Sequence, residues 1–242
     1  MLNINLYDIF AFDFDGTLVD SHLAYQEKDK LYVQHFYNKN VSKDFLEHLE
    51  QHYRILFKQP YSIEYYKHLD KLFGNSCLPV KEIKTRLLWI DEHMVKPQIK
   101  IKTGAIEAMN IIKSKYPQKK FLLVTGSKKR EIDYFSCNPL SALYNLLNIN
   151  NFFDCIVTQD DVLEQKPSPE PYKKALELVG APRNSSLLVF EDSVEGIMSA
   201  KANNATVVAL ENKHIYKDEE PVRKLSDYFF SDWKSIIKAL RR

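Results

Sequence analysis

The chain carries the stretch Asp13-Phe14-Asp15-Gly16-Thr17-Leu18-Val19-Asp20 directly after an apolar run, Ile9 to Phe12. Two carboxylates, Asp13 and Asp15, therefore stand two residues apart at the end of a predicted β-strand. Charged side chains that are desolvated side by side are raised in energy unless a cation or a proton relieves them. Magnesium gives such relief, because it prefers carboxylate and carbonyl oxygens and completes its shell with water and substrate phosphate. The stretch indicates a metal-assisted reaction at a strand end.

Further short apolar runs along the chain predict more buried strands. With Asp8 to Phe14, the set comprises Phe121 to Thr125, Cys155 to Thr158, Leu187 to Glu191 and Thr206 to Leu210. Helical patterns lie between the later runs, at Ala105 to Lys115 and Pro169 to Val179. Strands that alternate with helices predict an α/β fold whose parallel sheet has right-handed crossovers.

The first two predicted strands are separated by roughly a hundred residues, nearly all with helical periodicity. Apolar residues recur at three- and four-residue spacings after Ser42 and again from Val80 to Met94. A helical insertion is the simplest account of this stretch. We expect a helical cap domain over residues 20–96 and a catalytic core formed by residues 1–19 and 97–242.

Reactive residues also follow other predicted strands, where ligands of open parallel sheets bind. One run ends in Thr125-Gly126-Ser127, whose hydroxyls and loop amides suit phosphate oxygens. Another ends in Glu191-Asp192, a second acidic pair suited to the same cation. Between them lies Lys166, in a proline-containing loop ahead of a helix.

Each of these features also has an ordinary structural explanation. Thr125 suits a strand cap, Lys166 a solvated loop charge, and Glu191-Asp192 a helix N-cap together with Ser193. Their joint occurrence, in the order acid pair, hydroxyl, lysine, acid pair, favours a catalytic site over four unrelated structural roles.

The chain closely resembles the haloacid dehalogenase-like hydrolase superfamily, in the branch of phosphatases and phosphomutases with a helical cap. Residues 13–21 carry the most specific part of the resemblance, followed by residues 166–172 and 189–200. The resemblance implies a Rossmann-like parallel sheet core and an inserted α-helical cap. One mild departure is Gln165, where many relatives have glycine before the lysine.

The resemblance also implies a role for each matching residue. Asp13 would be the nucleophile and Asp15 the general acid and base, while Thr125 and Lys166 bind the phosphoryl group. The implied magnesium ligands are Asp13, Asp15, Glu191 and Asp192. True haloacid dehalogenases lack the second aspartate, so Asp15 favours phosphate esters over carbon–halogen bonds.

The expected activity is a magnesium-dependent phosphatase that hydrolyses a small phosphorylated metabolite through an aspartyl-phosphate intermediate. One alternative is a sugar-phosphate mutase similar to β-phosphoglucomutase, but such mutases typically carry a histidine where this chain has Tyr25. A second alternative is a non-catalytic module that binds a phosphorylated ligand. A phosphonate-cleaving enzyme would need a cap lysine, and none stands out.

Composition limits the classes of partner. Lys plus Arg number 34 against 32 Asp plus Glu, and a net charge of +2 gives no broad attraction to nucleic acid. Met1 to Asp8 has no signal-peptide pattern, and no stretch approaches the ~18 apolar residues of a membrane span. Three cysteines without metal-binding spacing suit a reducing compartment. We expect a cytoplasmic enzyme with a small-molecule partner and no nucleic-acid or membrane partner; the oligomeric state is open.

Overall fold

The structure is a computed structural model that describes residues 2–57, 63–75, 77–213 and 219–241. Contacts between residues divide the chain into two compact units. The first unit comprises Met1–His22 and Ile99–Arg242, and the second comprises Leu23–Gln98.

The elements of secondary structure alternate between strands and helices outside the second unit. From the N-terminus they begin with β1 (Ile9–Phe12), β2 (Val19–Asp20), α1 (His22–Gln26), α2 (Lys28–Tyr37), α3 (Lys43–Phe57), α4 (Ile63–Gly74) and α5 (Val80–Ile90). They continue with β3 (Lys100–Ile101), α6 (Ala105–Lys115), β4 (Lys120–Val124), α7 (Lys129–Cys137), α8 (Ile149–Phe152), β5 (Cys155–Val157) and α9 (Glu170–Leu178). The last are β6 (Leu187–Glu191), α10 (Val194–Lys201), β7 (Thr206–Leu210), α11 (Glu220–Leu225), β8 (Tyr228–Phe230) and α12 (Trp233–Leu240).

Six of the strands form one sheet in the order β5-β4-β1-β6-β7-β8, and every neighbouring pair is parallel. The predicted α/β fold with a parallel sheet is therefore confirmed. The apolar runs of the sequence do not include β8, a half-buried strand of three residues at the sheet edge. The predicted first strand, Asp8 to Phe14, is longer than the observed β1, Ile9–Phe12.

The central strand β1 is buried on both faces of the sheet. On one face Phe12 stacks against Phe190 with ring centroids 4.8 Å apart. On the other, Ala11 belongs to an apolar cluster that includes Val189 and Ile197. Burying each large apolar side chain contributes about 1.5–3 kcal/mol, so the core holds the end of β1 in a fixed position.

The chain leaves and re-enters the first unit through a small antiparallel ladder. In this ladder β2 pairs with β3, with Val19 opposite Ile101 and Asp20 opposite Lys100. The segment between the two strands contains helices α1–α5, a π-helical turn (Asp91–Val95) and a 3-10 turn (Lys96–Gln98).

The second unit has buried carboxylates bonded to tyrosine hydroxyls. Asp29 accepts hydrogen bonds from Tyr65 and Tyr66, both at 2.8 Å, and Asp70 accepts one from Tyr32 at 2.8 Å. All three tyrosines are fully buried. These aromatic residues therefore pack within the helical unit, and their hydroxyls supply hydrogen bonds to the buried charges.

Among the residues that the structure describes, no helix has both the length and the apolar character needed to cross a membrane.

Candidate active site

The nucleophile predicted from the sequence, Asp13, lies just beyond the carboxyl end of β1. Its backbone N–H donates to Phe190 O at 3.0 Å, which continues the pairing of the sheet by one residue. The chain then turns back at Gly16, which has a φ of +81° and donates its N–H to Val19 O at 2.8 Å. Glycine suits this turn because a side chain is strained at positive φ. The turn keeps the Asp13 carboxylate at the sheet edge, where it is 7% exposed.

Lys166 joins two of the predicted acidic residues. Its Nζ atom lies 2.7 Å from Asp13 Oδ1, 2.6 Å from Glu191 Oε1 and 3.0 Å from Val124 O. An ammonium group has three donors, so each donor has an acceptor here. The loop lysine predicted from the sequence is therefore a buried ion-pair partner and not a solvated charge.

Glu191 is the last residue of β6 and is completely buried. Its Oε2 accepts hydrogen bonds from Asp192 N at 2.9 Å, Ser193 N at 3.1 Å and Ser193 Oγ at 3.0 Å. Its Oε1 accepts a bond from Tyr172 OH at 3.2 Å as well as the bond from Lys166. The carboxylate thus sits at the N-terminus of α10, where backbone N–H groups favour negative charge.

Asp192 follows Glu191 and is 1% exposed. Its Oδ1 accepts a hydrogen bond from Thr17 Oγ1 at 3.0 Å, and its Oδ2 accepts one from Asn212 Nδ2 at 2.6 Å. The carboxylate therefore contacts the turn that follows Asp13.

Three buried carboxylates could together hold a metal ion. Asp13, Glu191 and Asp192 each offer one oxygen, and these oxygens all lie within 4.8 Å of one another. A set of carboxylate oxygens is typical of magnesium sites. The structure brings together three of the four predicted ligands in this way. The Asp15 side chain lies outside the group, with its Oδ2 2.5 Å from Ser127 Oγ.

The predicted phosphate-binding loop follows β4. Thr125 is 3% exposed and its Oγ1 accepts a hydrogen bond from Ser127 N at 3.0 Å. Ser127 Oγ donates to Asp15, so the hydroxyl predicted to bind phosphate contacts the predicted general acid instead. Gly126 has open space around it, since a Cβ atom added there would meet nothing within 4 Å.

Burial and like charges alter the acidity of the carboxyl groups. Burial raises the pKa of Asp13 well above its usual value, although the Lys166 ammonium works in the opposite direction. Burial and the neighbouring Glu191 raise the pKa of Asp192 to about 7. Burial also raises the pKa of Asp15, partly offset by hydrogen bonds from Ser127 and Ser21. Crowded, desolvated carboxyl groups of this kind are common in active sites.

The pKa of Lys166 shows which influence dominates at the ion pair. Burial alone would lower this pKa, but the carboxylates of Asp13 and Glu191 raise it well above the usual value. Lys166 therefore carries its positive charge at neutral pH and can attract an anionic group.

Three polar residues of the site were not identified from the sequence. Thr17 and Asn212 bind Asp192, and Tyr172 binds Glu191. Asn212 lies two residues beyond β7, so the rule that ligands bind past strand ends could have pointed to it. No local pattern marks Tyr172, because a buried tyrosine in a helix is ordinarily part of the core.

The fold and the site together define a class of protein. A parallel sheet whose strand ends bring together two acid pairs and a hydroxyl loop, with a lysine from a neighbouring loop, is typical of an α/β enzyme that acts on phosphate groups. The model of the haloacid dehalogenase-like hydrolase family matches residues 10–210. The chain belongs to this family, and the resemblance inferred from its motifs is confirmed.

Several proteins are similar to the chain along most of its length. A pyrophosphatase PpaX from Oceanobacillus iheyensis is 22% identical over 233 residues, which is 93% of each chain. A phosphoglycolate phosphatase from Aquifex aeolicus is 26% identical over 207 residues, 84% of each chain. The chain spans half the length of another relative, from Caldanaerobacter subterraneus, at 31% identity over 122 residues.

Among solved structures, a Thermotoga maritima protein provisionally described as a β-phosphoglucomutase superposes with a TM-score of 0.74. The match covers 97% of this chain and 98% of that one, at 23% identity. At that identity the likeness establishes the shared fold.

Proposed function

We propose that the chain is a magnesium-dependent phosphatase that hydrolyses a small phosphorylated metabolite through an aspartyl-phosphate on Asp13. The observation that carries the proposal is the environment of Asp13, a buried carboxylate 2.7 Å from the Lys166 ammonium and grouped with Glu191 and Asp192. A carboxylate held by a cation can act as a nucleophile toward phosphorus. The phosphatase and pyrophosphatase names of two relatives support phosphorus as the atom attacked.

The carboxylates of Asp13, Glu191 and Asp192 would hold the magnesium ion, and their buried oxygen atoms fit its preference for hard ligands. When bound, magnesium would supply positive charge that offsets the repulsion between the carboxylates and a phosphate group. All the residues assigned to the chemistry belong to the unit Met1–His22 with Ile99–Arg242.

In the first step a carboxylate oxygen of Asp13 forms a bond to phosphorus, and the bond from phosphorus to the ester oxygen breaks. Asp15 donates a proton to the leaving oxygen, so the product departs as an alcohol. The raised pKa of Asp15 favours the protonated carboxyl group that this transfer needs. Ser127 Oγ orients that carboxyl group through its hydrogen bond.

In the second step Asp15 takes a proton from a water molecule, and the water oxygen forms a bond to phosphorus. The bond between Asp13 and phosphorus breaks, which releases inorganic phosphate and restores the carboxylate. Lys166 and the hydroxyl of Thr125 would meet the charge on the phosphoryl oxygens in both steps. Loss of one such preorganised donor commonly costs about 2.7–4 kcal/mol in the transition state.

The proposal is tested by phosphate release from a panel that includes phosphoglycolate, sugar phosphates, nucleotides and pyrophosphate, with magnesium or with chelator. We expect release that requires magnesium and disappears in Asp13→Asn, with the variant folded as judged by circular dichroism. The control is Asp44→Asn, which makes the same chemical change at an exposed position of α3 and should leave phosphate release unchanged. Activity that survives in Asp13→Asn excludes the proposed nucleophile.

The covalent intermediate has its own test. In the Asp15→Asn variant, Asp13 should still attack the phosphorus of a substrate with an activated leaving group, such as p-nitrophenyl phosphate. The resulting aspartyl-phosphate should be hydrolysed slowly, because Asp15 no longer takes a proton from water. Hydroxylamine would then convert Asp13 to a hydroxamate, visible as a mass change in the peptide that contains it. Absence of the adduct in a variant that releases a stoichiometric burst of p-nitrophenol would contradict the covalent route. If a sugar bisphosphate stimulates the conversion of a sugar phosphate and no phosphate is released, the result would favour the mutase instead.

A further inference from the structure

The loop after β7 contacts the acidic cluster, although neither the sequence motifs nor the proposed steps give it a role. Asn212, in this loop, is 5% exposed and donates a hydrogen bond from Nδ2 to Asp192 Oδ2 at 2.6 Å. The other oxygen of Asp192 accepts the bond from Thr17. Each oxygen of this carboxylate thus has a neutral donor.

The Asn212–Asp192 pair is packed directly against the turn that follows the nucleophile. A Cβ atom on Gly16 would lie 2.1 Å from Asp192 Oδ2 and 2.6 Å from Asn212 Nδ2. A side chain at position 16 would therefore collide with both groups, so the pair occupies the space beside the Gly16 backbone.

The backbone next to Asn212 is fixed at Glu211, through both its N–H and its carbonyl group. Glu211 N donates to Phe230 O at 2.9 Å, which ties the loop to β8. Lys102 Nζ donates to Glu211 O at 3.3 Å, which ties it to the end of β3. The residue before Asn212 is thus held by two separate parts of the core, which limits the positions open to Asn212.

We propose that Asn212 is a positioning residue that holds Asp192 in the orientation in which it binds the divalent cation. The inference rests on the proposed function in taking that cation to be magnesium. A hydrogen-bond donor that orients a metal-binding carboxylate restricts the carboxylate before the metal binds, so less conformational freedom is lost when it does. Removal of such outer partners typically weakens metal affinity by about 10- to 100-fold.

The experiment is magnesium binding to the metal-free protein, measured by titration calorimetry without substrate. Two variants remove the donor: Asn212→Ala leaves a gap, and Asn212→Leu keeps most of the volume. The matched control is Asn203→Ala, because Asn203 donates to two carbonyl groups, Pro169 O and Ser199 O, and not to any of the three acids. Thermal unfolding in chelator shows whether each variant is folded.

We expect both Asn212 variants to bind magnesium about tenfold more weakly or worse, while Asn203→Ala keeps the affinity of the natural chain. Unchanged or tighter binding in a folded Asn212 variant would overturn the inference. If neither variant folds, Asn212→Gln keeps the amide but displaces it from Asp192 by one methylene, and it should weaken binding in the same direction; unchanged affinity there would also overturn the inference.

The outcome separates this inference from the proposed function. A natural chain that binds magnesium through Asn212-dependent contacts but releases phosphate from no ester would contradict the phosphatase and leave the positioning role intact. If the chain is a magnesium-dependent phosphatase but its Asn212 variants bind the metal normally, the proposed function would stand and the positioning role would be contradicted.

Discussion

Lys166 Nζ lies 2.6 Å from Glu191 Oε1, and the two side chains are 10% and 0% exposed. The ion pair is therefore shielded from water, and the same ammonium also binds Asp13 at 2.7 Å. A buried charge that loses its partner is strongly destabilising, whereas an exposed pair contributes little. Lys166, which is assigned to phosphate binding, therefore also contributes to the stability of the metal-free protein.

Lys166→Met should therefore abolish phosphate release and also destabilise the metal-free protein. Without the ammonium, Asp13 and Glu191 lose their shared cation, and breaking a buried pair in this way typically costs about 3–5 kcal/mol. Urea unfolding in chelator measures this cost. The control is Lys173→Met, whose exposed pair with Glu177 at 4.0 Å should change stability by less than about 0.5 kcal/mol. Equal effects of the two variants would show that the Lys166 pair is not a stabilising contact.

The rule that ligands bind beyond the ends of parallel strands explains why much of the candidate site could be predicted. It led from the first acid pair to Thr125 and to Glu191-Asp192, and the structure places all of them at the same edge of the sheet as Asp13. Lys166 lies in the loop between β5 and α9, so the rule about strand ends does not point to it. Its place between the other motifs along the chain does.

Other contributions could not be predicted because they depend on contacts between residues far apart in sequence. Trp233 Nε1 donates to Thr17 O across 216 residues, and a lone aromatic residue gives no local sign of such a partner. The hydrogen bond between Ser127 and Asp15 also depends on side-chain orientation, which motifs do not specify.

Gly196→Ala should lower turnover and stability together. A Cβ atom at Gly196 would lie 1.7 Å from Glu191 Oε1, so the carboxylate that binds Lys166 would have to move. A displacement near 1 Å in a catalytic group can cost about 10²-fold in rate. Glycine to alanine in an open helix would instead stabilise by about 1 kcal/mol, so the sign of the change in melting temperature is diagnostic. Met198→Ala, at an exposed position of the same helix, is the control. A more stable, fully active Gly196→Ala protein would contradict the close packing.

Trp233→Phe tests whether the C-terminal helix supports the turn after Asp13. The change removes the 2.8 Å hydrogen bond to Thr17 O and part of the ring that packs 5.2 Å from Phe190. An unsatisfied carbonyl and a partial cavity should together cost roughly 2–4 kcal/mol in the free energy of unfolding. The control is Trp89→Phe, because that indole is 37% exposed and lies in the other unit. If only Trp89→Phe lowers the free energy of unfolding, α12 does not support the turn after Asp13.

Asp8→Asn tests how the start of β1 is attached to the segment before β6. Asp8 Oδ2 accepts hydrogen bonds from Ser186 N at 3.0 Å and Ser186 Oγ at 2.8 Å, and these bonds lower the pKa of Asp8 from its usual 3.8. A lowered pKa stabilises the folded protein above pH 3.8, and this stabilisation is lost as the pH falls through the folded-state value. Because Asp8 is exposed, the variant should lose stability at the low end of the ~0.5–1.5 kcal/mol typical of a hydrogen bond.

The same variant makes a prediction about acid. The difference in unfolding free energy between the natural chain and Asp8→Asn should be constant near neutral pH and shrink once the pH drops below 3.8. Urea unfolding at a series of pH values measures it, with Asp133→Asn as the control, since the hydrogen bonds described for the Asp133 carboxylate come from Lys129 of the same helix. In acid, protonation leaves Asp8 with a neutral side chain that is comparable to asparagine, so the difference should disappear. A difference that persists unchanged in acid would mean that the charge of Asp8 does not stabilise the start of β1.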